Sequence, residues 1–213
     1  MLTKETRIPD GRGRPRKRST TARKLPIQAR SQETVASILE ASARILETKG
    51  LPGFNTNAIA RKAGVSIGSL YQYFPNKDTI VLGLISSFEK ALDLAVERAI
   101  KSDGEVQLNP RLRKVVRALF AVHHQRSALN RILEVEEERL GHSSGDSTLR
   151  EMVLGLLREH RDELAVPPSA AVAQDIIGIA RTLIDACLLS GASRKDIEQR
   201  TMRALCGYLF YAG

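Results

Sequence analysis

The chain has no tryptophan, and Phe, Tyr and Trp together make up 4% of its 213 residues. So thin an aromatic supply argues against a pocket walled by several stacked rings. The two cysteines, Cys187 and Cys206, are too few for a disulfide framework and fit a reducing compartment. No group of His or Cys has zinc spacing, so no metal is expected. No run approaches the ~20 apolar residues of a membrane span. The basic opening MLTKETRIPDGRGRPRKRST lacks the apolar stretch of a secretory signal, so a cytoplasmic protein is expected. There is no nucleophile elbow, phosphate loop or pair of catalytic carboxylates, which points away from an enzyme and from any cofactor. One absence is local. Residues 48–77 contain no acid at all, while Lys49, Arg61, Lys62 and Lys77 stand among them. A stretch stripped of negative charge suits a surface laid against phosphates.

What is present is otherwise ordinary for a globular chain: 42% apolar and 27% charged residues, in a length that fits one or two domains. The net charge of +9 is unevenly placed. Residues 1–30 carry ten basic groups against two acids, and residues 31–213 carry 23 against 22. A basic arm on a near-neutral body points to a polyanion, nucleic acid ahead of an anionic membrane.

From Ala29 the periodicity becomes helical, with no repeat and no strand-like alternation. Val35, Ile38, Leu39, Ser42, Ile45 and Leu46 share one face of a helix over about 29–49, stopped by Gly50. Short helices follow over about 57–63, capped by Thr56 or Asn55, and about 67–73, capped by Ser66. A long helix opens at Asn76 or Pro75 and runs over about 76–101. Five more are expected over about 109–125, 127–140, 146–164, 169–190 and 194–211. The fold class is all-α with about nine helices. Residues 1–27 form a basic arm too polar to order itself, residues 28–76 a helix-turn-helix domain, and residues 77–213 a helical ligand-binding and dimerisation domain. The run Glu134–Arg139 reads as a solvated helix face.

Residues 56–77, TNAIARKAGVSIGSLYQYFPNK, place two short helices about a tight turn at Gly64, the geometry of a helix-turn-helix whose second helix enters the major groove. Thr56, Ile59, Ala60, Ala63, Gly64, Val65, Ser66, Gly68, Leu70, Tyr71, Tyr73, Phe74 and Lys77 follow a pattern that resembles the TetR family of bacterial transcriptional regulators. Ser69 stands where many members have Thr. The resemblance covers about residues 30–80. It implies a homodimer on a palindromic operator in the bacterial cytoplasm, associated with the nucleoid. It also implies a C-terminal half that binds a small molecule and pairs through its last two long helices.

Set on this pattern, Ile67, Gly68 and Ser69 are the expected base readers, with Tyr71 one turn further on. Ile67 can touch a thymine methyl, Gly68 lets the backbone approach, and Ser69 brings a hydroxyl. Thr56, Asn57 and Ser66 sit at helix starts, where free N–H groups meet phosphates. Tyr73 and Lys77 resemble the family's phosphate contacts, and Gln72 is a further surface candidate. In the arm, GRGRPRKR resembles an AT-hook. Arg12, Arg14 and Arg16 either enter a narrow minor groove or attract phosphate without sequence preference.

The ligand half offers Phe120, His124, Leu133 and Arg181 as candidate effector contacts. His123 and Glu134 are not at the spacing by which one helix holds a metal, and adjacent His123 and His124 point to different faces. The apolar girth of the penultimate helix and the stripe on the last one make them either ordinary core helices or, as the resemblance implies, also a dimer interface carried by Ile176, Leu183, Cys187, Leu205 and Leu209. The functional expectation is a sequence-specific DNA-binding regulator, a repressor released by an effector. The alternative is an architectural, nucleoid-type DNA-binding protein without an effector.

Overall fold

Helix boundaries follow from short polar residues placed where free backbone N–H groups need acceptors. In the computed structural model, which describes residues 27–102, 107–142 and 147–211, every described residue lies in a helix or a connection between helices. Arg12, Arg14 and Arg16, expected to meet DNA, lie outside these residues. Helix α1 spans Ile27–Gly53, but its regular part ends at Gly50, whose φ of 61° is left-handed backbone that favours glycine. Helix α2 (Thr56–Ala63) is capped by Asn55, whose Oδ1 accepts from the Ala58 amide at 2.9 Å. Helix α3 (Ile67–Tyr73) is capped by Ser66, whose Oγ accepts from the Ser69 amide at 3.0 Å. Helix α4 (Lys77–Lys101) opens on Asn76, whose Oδ1 accepts from the Thr79 amide at 2.8 Å. Then come α5 (Leu108–Gln125), α6 (Ser127–Leu140), α7 (Ser147–Glu159), α8 (Ala170–Leu189) and α9 (Arg194–Phe210).

One expected helix is cut short. Periodicity carries the seventh to residue 164, yet α7 ends at Glu159 and a 3₁₀ turn follows at Arg161–Glu163. The Glu163 carboxylate is committed elsewhere: it accepts the Leu108 amide, 3.1 Å away, at the open start of α5. His160 accepts from Arg111 on one ring nitrogen, at 2.8 Å, and so donates to Glu163 from the other, at 2.7 Å. A long-range cap and two charged bonds outweigh one more helical turn.

Two apolar cores result. The first joins α1, α2, α3 and the start of α4 through Ile38, Leu46, Phe54, Ile59, Leu70 and Ile80, and it also takes in Leu129 and Leu133 from α6. The second packs the rest of α4 (Leu92, Val96) with α5, α7, α8 and α9. Helix α4 therefore belongs to both.

Two expectations are corrected by burial. Ile176, Cys187, Leu205 and Leu209 are 0–4% exposed inside their own protomer, so they have no surface to give a partner; Leu183 is half-buried. On α8 the outward face is instead Gln174, Gly178, Thr182, Ala186 and Leu189, spaced three to four residues apart. Periodicity found the apolar side of these helices but could not say which body covers it. Nor is Glu134–Arg139 wholly solvated. Glu136 is 6% exposed because it continues the buried row Leu129–Leu133, and Arg139 bonds it at 2.7 Å.

Two buried hydroxyls, Ser42 Oγ and Thr201 Oγ1, have no hydrogen-bond partner among the described residues, and both residues are 0% exposed. An orphaned buried hydroxyl costs about 1 kcal/mol or more. Ser42→Ala and Thr201→Val should each stabilise the fold by about 1 kcal/mol, a rise of about 2–4 °C in Tm by calorimetry. A fall in both would show that the hydroxyls are satisfied.

Candidate nucleic-acid interface

The helix-turn-helix rests on a few side chains that the local sequence forces inward. Gly64 ends α2 with a φ of 70°, and the Val65 amide reaches back to the Ala60 carbonyl at 3.0 Å. The chain thereby reverses within three residues, and Ser66 starts α3 at once. Leu70 is 0% exposed and Phe74 8%, so α3 is pinned by its inner face. Its outer face is open: Ile67 is 40% and Tyr71 48% exposed, with Gly68 and Gln72 exposed beside them. Ser69 is half-buried, its Oγ 2.9 Å from Ser66 Oγ.

The start of α2 adjoins this face. Thr56 Oγ1 lies 3.1 Å from the Tyr71 hydroxyl, which holds the ring of Tyr71 across the beginning of α2. Asn57 and Lys77 are exposed. Tyr73 is half-buried, and its hydroxyl lies 3.0 Å from Ser31 Oγ on α1. The described candidates thus fall into an exposed group (Asn57, Ser66, Ile67, Gly68, Tyr71, Gln72, Lys77) and a half-buried group (Thr56, Ser69, Tyr73). The missing acids leave this surface with no negative side chain between residues 48 and 77.

Charge also joins the first core to the rest of the chain. Arg126, at the break between α5 and α6, donates to Glu47 through Nε (2.7 Å) and Nη2 (2.9 Å), and to Glu40 through Nη1 (2.8 Å). Arg139 on α6 reaches Asp78 at the start of α4. The Arg126 guanidinium holds the Glu47 carboxyl below its ordinary range; Arg44, then Arg126, do the same for Glu40. A carboxyl depressed by folding stabilises above its ordinary pKa, and that stability is lost as pH falls. Arg126→Ala should cost about 1–2 kcal/mol near neutrality. The gap between variant and parent Tm should close as pH drops through the ordinary carboxylate range, and a constant gap would refute the assignment.

The effector candidates separate in space. Phe120 is 8% exposed, with His124 stacked on it at 5.2 Å and Arg194 over its ring at 5.8 Å. Leu133 and Arg181 line a different, small cavity, together with Phe88 and His123. Sequence reasoning missed what lies next to it. His123 on α5, Glu134 on α6 and Asp185 on α8 bring one nitrogen and two carboxylate oxygens within 4.8 Å of one another. Their sequence separations match no single-helix spacing, so only the packing of three helices reveals them.

The exposed α3 face, the αL turn and the acid-free strip define the class: an all-helical helix-turn-helix protein. Residues 38–84 match the model of the tetR family of bacterial regulatory proteins. It is similar to the nucleoid occlusion factor SlmA of Vibrio campbellii (strain ATCC BAA-1116), 36% identical over 109 residues, covering 48% of this chain and 55% of that one. The chain spans about half the length of the curated relatives it matches. In fold it is similar to a TetR-family transcriptional regulator structure from Mesorhizobium loti MAFF303099, with a TM-score of 0.65 at 17% identity, over 85% of this chain and 99% of that one. It is likewise similar to a structure described as a SmeT-triclosan complex, with a TM-score of 0.62 at 17% identity, over 84% and 93% of the two chains. Among the described residues, no helix is long and apolar enough to cross a membrane.

Proposed function

We propose that this chain is a sequence-specific DNA-binding transcriptional regulator of the bacterial cytoplasm, a repressor that binds a palindromic operator as a homodimer. The observation that carries the reading is the exposed Ile67–Tyr71 face of α3, set in a segment without acids. Ile67, Gly68, Ser69 and Tyr71 are the base-facing group, with Gln72 beside them. Thr56, Asn57, Ser66, Tyr73 and Lys77 serve the phosphates. Residues 28–76 form the reading domain, with the arm of residues 1–27 ahead of it. Residues 77–213 sense and pair, through the outward face of α8. A small-molecule effector releases the operator by tilting α4, which runs unbroken from the first core into the second. The similar fold described as a triclosan complex supports an effector of this kind. No catalytic role is assigned.

Selection of bound fragments from the source genome tests the reading. It should return one palindrome with half-sites about 34–36 Å, or a multiple, apart. The second reading is an architectural, nucleoid-type protein, favoured by the arm's charge and by the similarity to nucleoid occlusion factors. Under it, bulk genomic DNA strips the protein from its best fragment as readily as from any other, and no common palindrome emerges.

A further inference from the structure

We propose that His123, Glu134 and Asp185 form a binding site for one first-row divalent transition-metal ion, clamping α5, α6 and α8 together. His123 is 3% exposed, and its Nδ1 lies 3.1 Å from Asp185 Oδ1. Ligands bound at about 2.0–2.1 Å around a tetrahedral ion lie about 3.3 Å from one another, so this pair already stands near ligand spacing. Glu134 brings the third ligand atom within 4.8 Å of the other two. The imidazole ring is held edge-on by Phe88, with ring centres 5.2 Å apart. The backbone behind the ring is fixed as well, because Asn130 Nδ2 donates to the His123 carbonyl at 3.1 Å.

Asn130 borders the same site. It is 5% exposed and spends its amide nitrogen on the His123 carbonyl. It lines the same cavity of about 280 Å³ as His123, Glu134 and Asp185. An imidazole and two carboxylates gathered on one cavity wall are a donor set that suits a divalent cation. The charge balance agrees. Burial first, and the neighbouring Asp185 second, push the Glu134 carboxyl above its ordinary range, while His123 and Arg181 oppose them and Glu137 adds to them. One imidazole with carboxylate oxygens suits zinc, cobalt or nickel rather than magnesium or calcium. Protons compete with the ion for the imidazole nitrogen and the carboxylate oxygens, so binding weakens in acid.

The site has a path to DNA. Helix α6 carries Glu134 at its middle, follows Arg126, which is clamped to α1, and ends near Arg139, which is bonded to Asp78 on α4. An ion that draws α6 toward α8 pulls on both clamps. This coupling rests on the DNA-binding reading above; the site itself does not.

Equilibrium dialysis of the tag-free full chain against zinc tests the site. The result expected is one ion per chain, about tenfold or more weaker in Glu134→Gln and in Asp185→Asn, and unchanged in Cys206→Ser. Because Asp185 touches buried His123, Glu134→Gln is the variant that keeps the fold, and the Tm of the parent, not of this variant, should rise on zinc addition. No stoichiometric zinc, full binding in Glu134→Gln, or loss in Cys206→Ser overturns the site. A genomic fragment bound with and without zinc then tests the coupling, with a tenfold change expected in the parent and none in Glu134→Gln. Equal affinity in a zinc-loaded chain overturns the coupling alone. Failure to bind any fragment in either state overturns the functional reading and leaves the site standing.

Discussion

Ile67→Glu should weaken binding to the selected operator by at least about 100-fold, measured by fluorescence anisotropy, with Tm unchanged. The residue opens α3, is 40% exposed, and makes no contribution to the first core. The fold therefore has no reason to resist the change, since solvent-facing substitutions rarely move stability by more than about 0.5 kcal/mol. Binding has every reason to. The new carboxylate replaces an apolar contact and stands alone in a strip of thirty residues that holds no other acid. Like charge forced against a phosphate costs several kcal/mol, and every 1.4 kcal/mol is about tenfold in affinity. Ile67→Ala, which removes the contact without adding charge, should fall between the two. Operator binding that survives Ile67→Glu would remove α3 from the interface.

A chain lacking residues 1–24 should lose about two to three orders of magnitude in DNA affinity at low salt and most of its salt dependence. The deletion removes nine basic and two acidic residues. Each phosphate neutralised adds about 0.9 to the slope of log affinity against log salt, so five or six arm contacts account for a slope near −5. The remaining domain should show a shallow slope, because its surface works by the absence of acids more than by a surplus of bases. Preference for the operator over unrelated fragments should persist, since α3 is intact. Arg12→Ala with Arg14→Ala refines the point. A greater loss on A·T-flanked than on G·C-flanked sites supports minor-groove entry, and an equal loss leaves phosphate attraction alone.

Local chemistry made the reading end of the chain legible. Asn55, Ser66 and Asn76 cap α2, α3 and α4 as side-chain chemistry requires, and Gly50 and Gly64 take the left-handed backbone that their positions demand. Where a feature depends on distant partners, the sequence was silent or misleading. Glu163 looked like the end of a helix until its bond to the Leu108 amide was seen. Ile176 and Leu209 were apolar at the right spacing for an interface, yet the protomer's own core claims them. His123, Glu134 and Asp185 lie on three helices, and no linear spacing encodes their meeting.

Helix α4 is a lever. Its 25 residues form a rod about 37 Å long at 1.5 Å per residue. Its first turns are locked into the core beneath α3, and its last turns into the core of the C-terminal half. A tilt of about 5° about one end sweeps the other through about 3 Å, nearly the 3.4 Å between successive bases along a strand. In the proposed dimer, the C-terminal half need move very little to put each recognition helix out of step with its half-site by a full base pair.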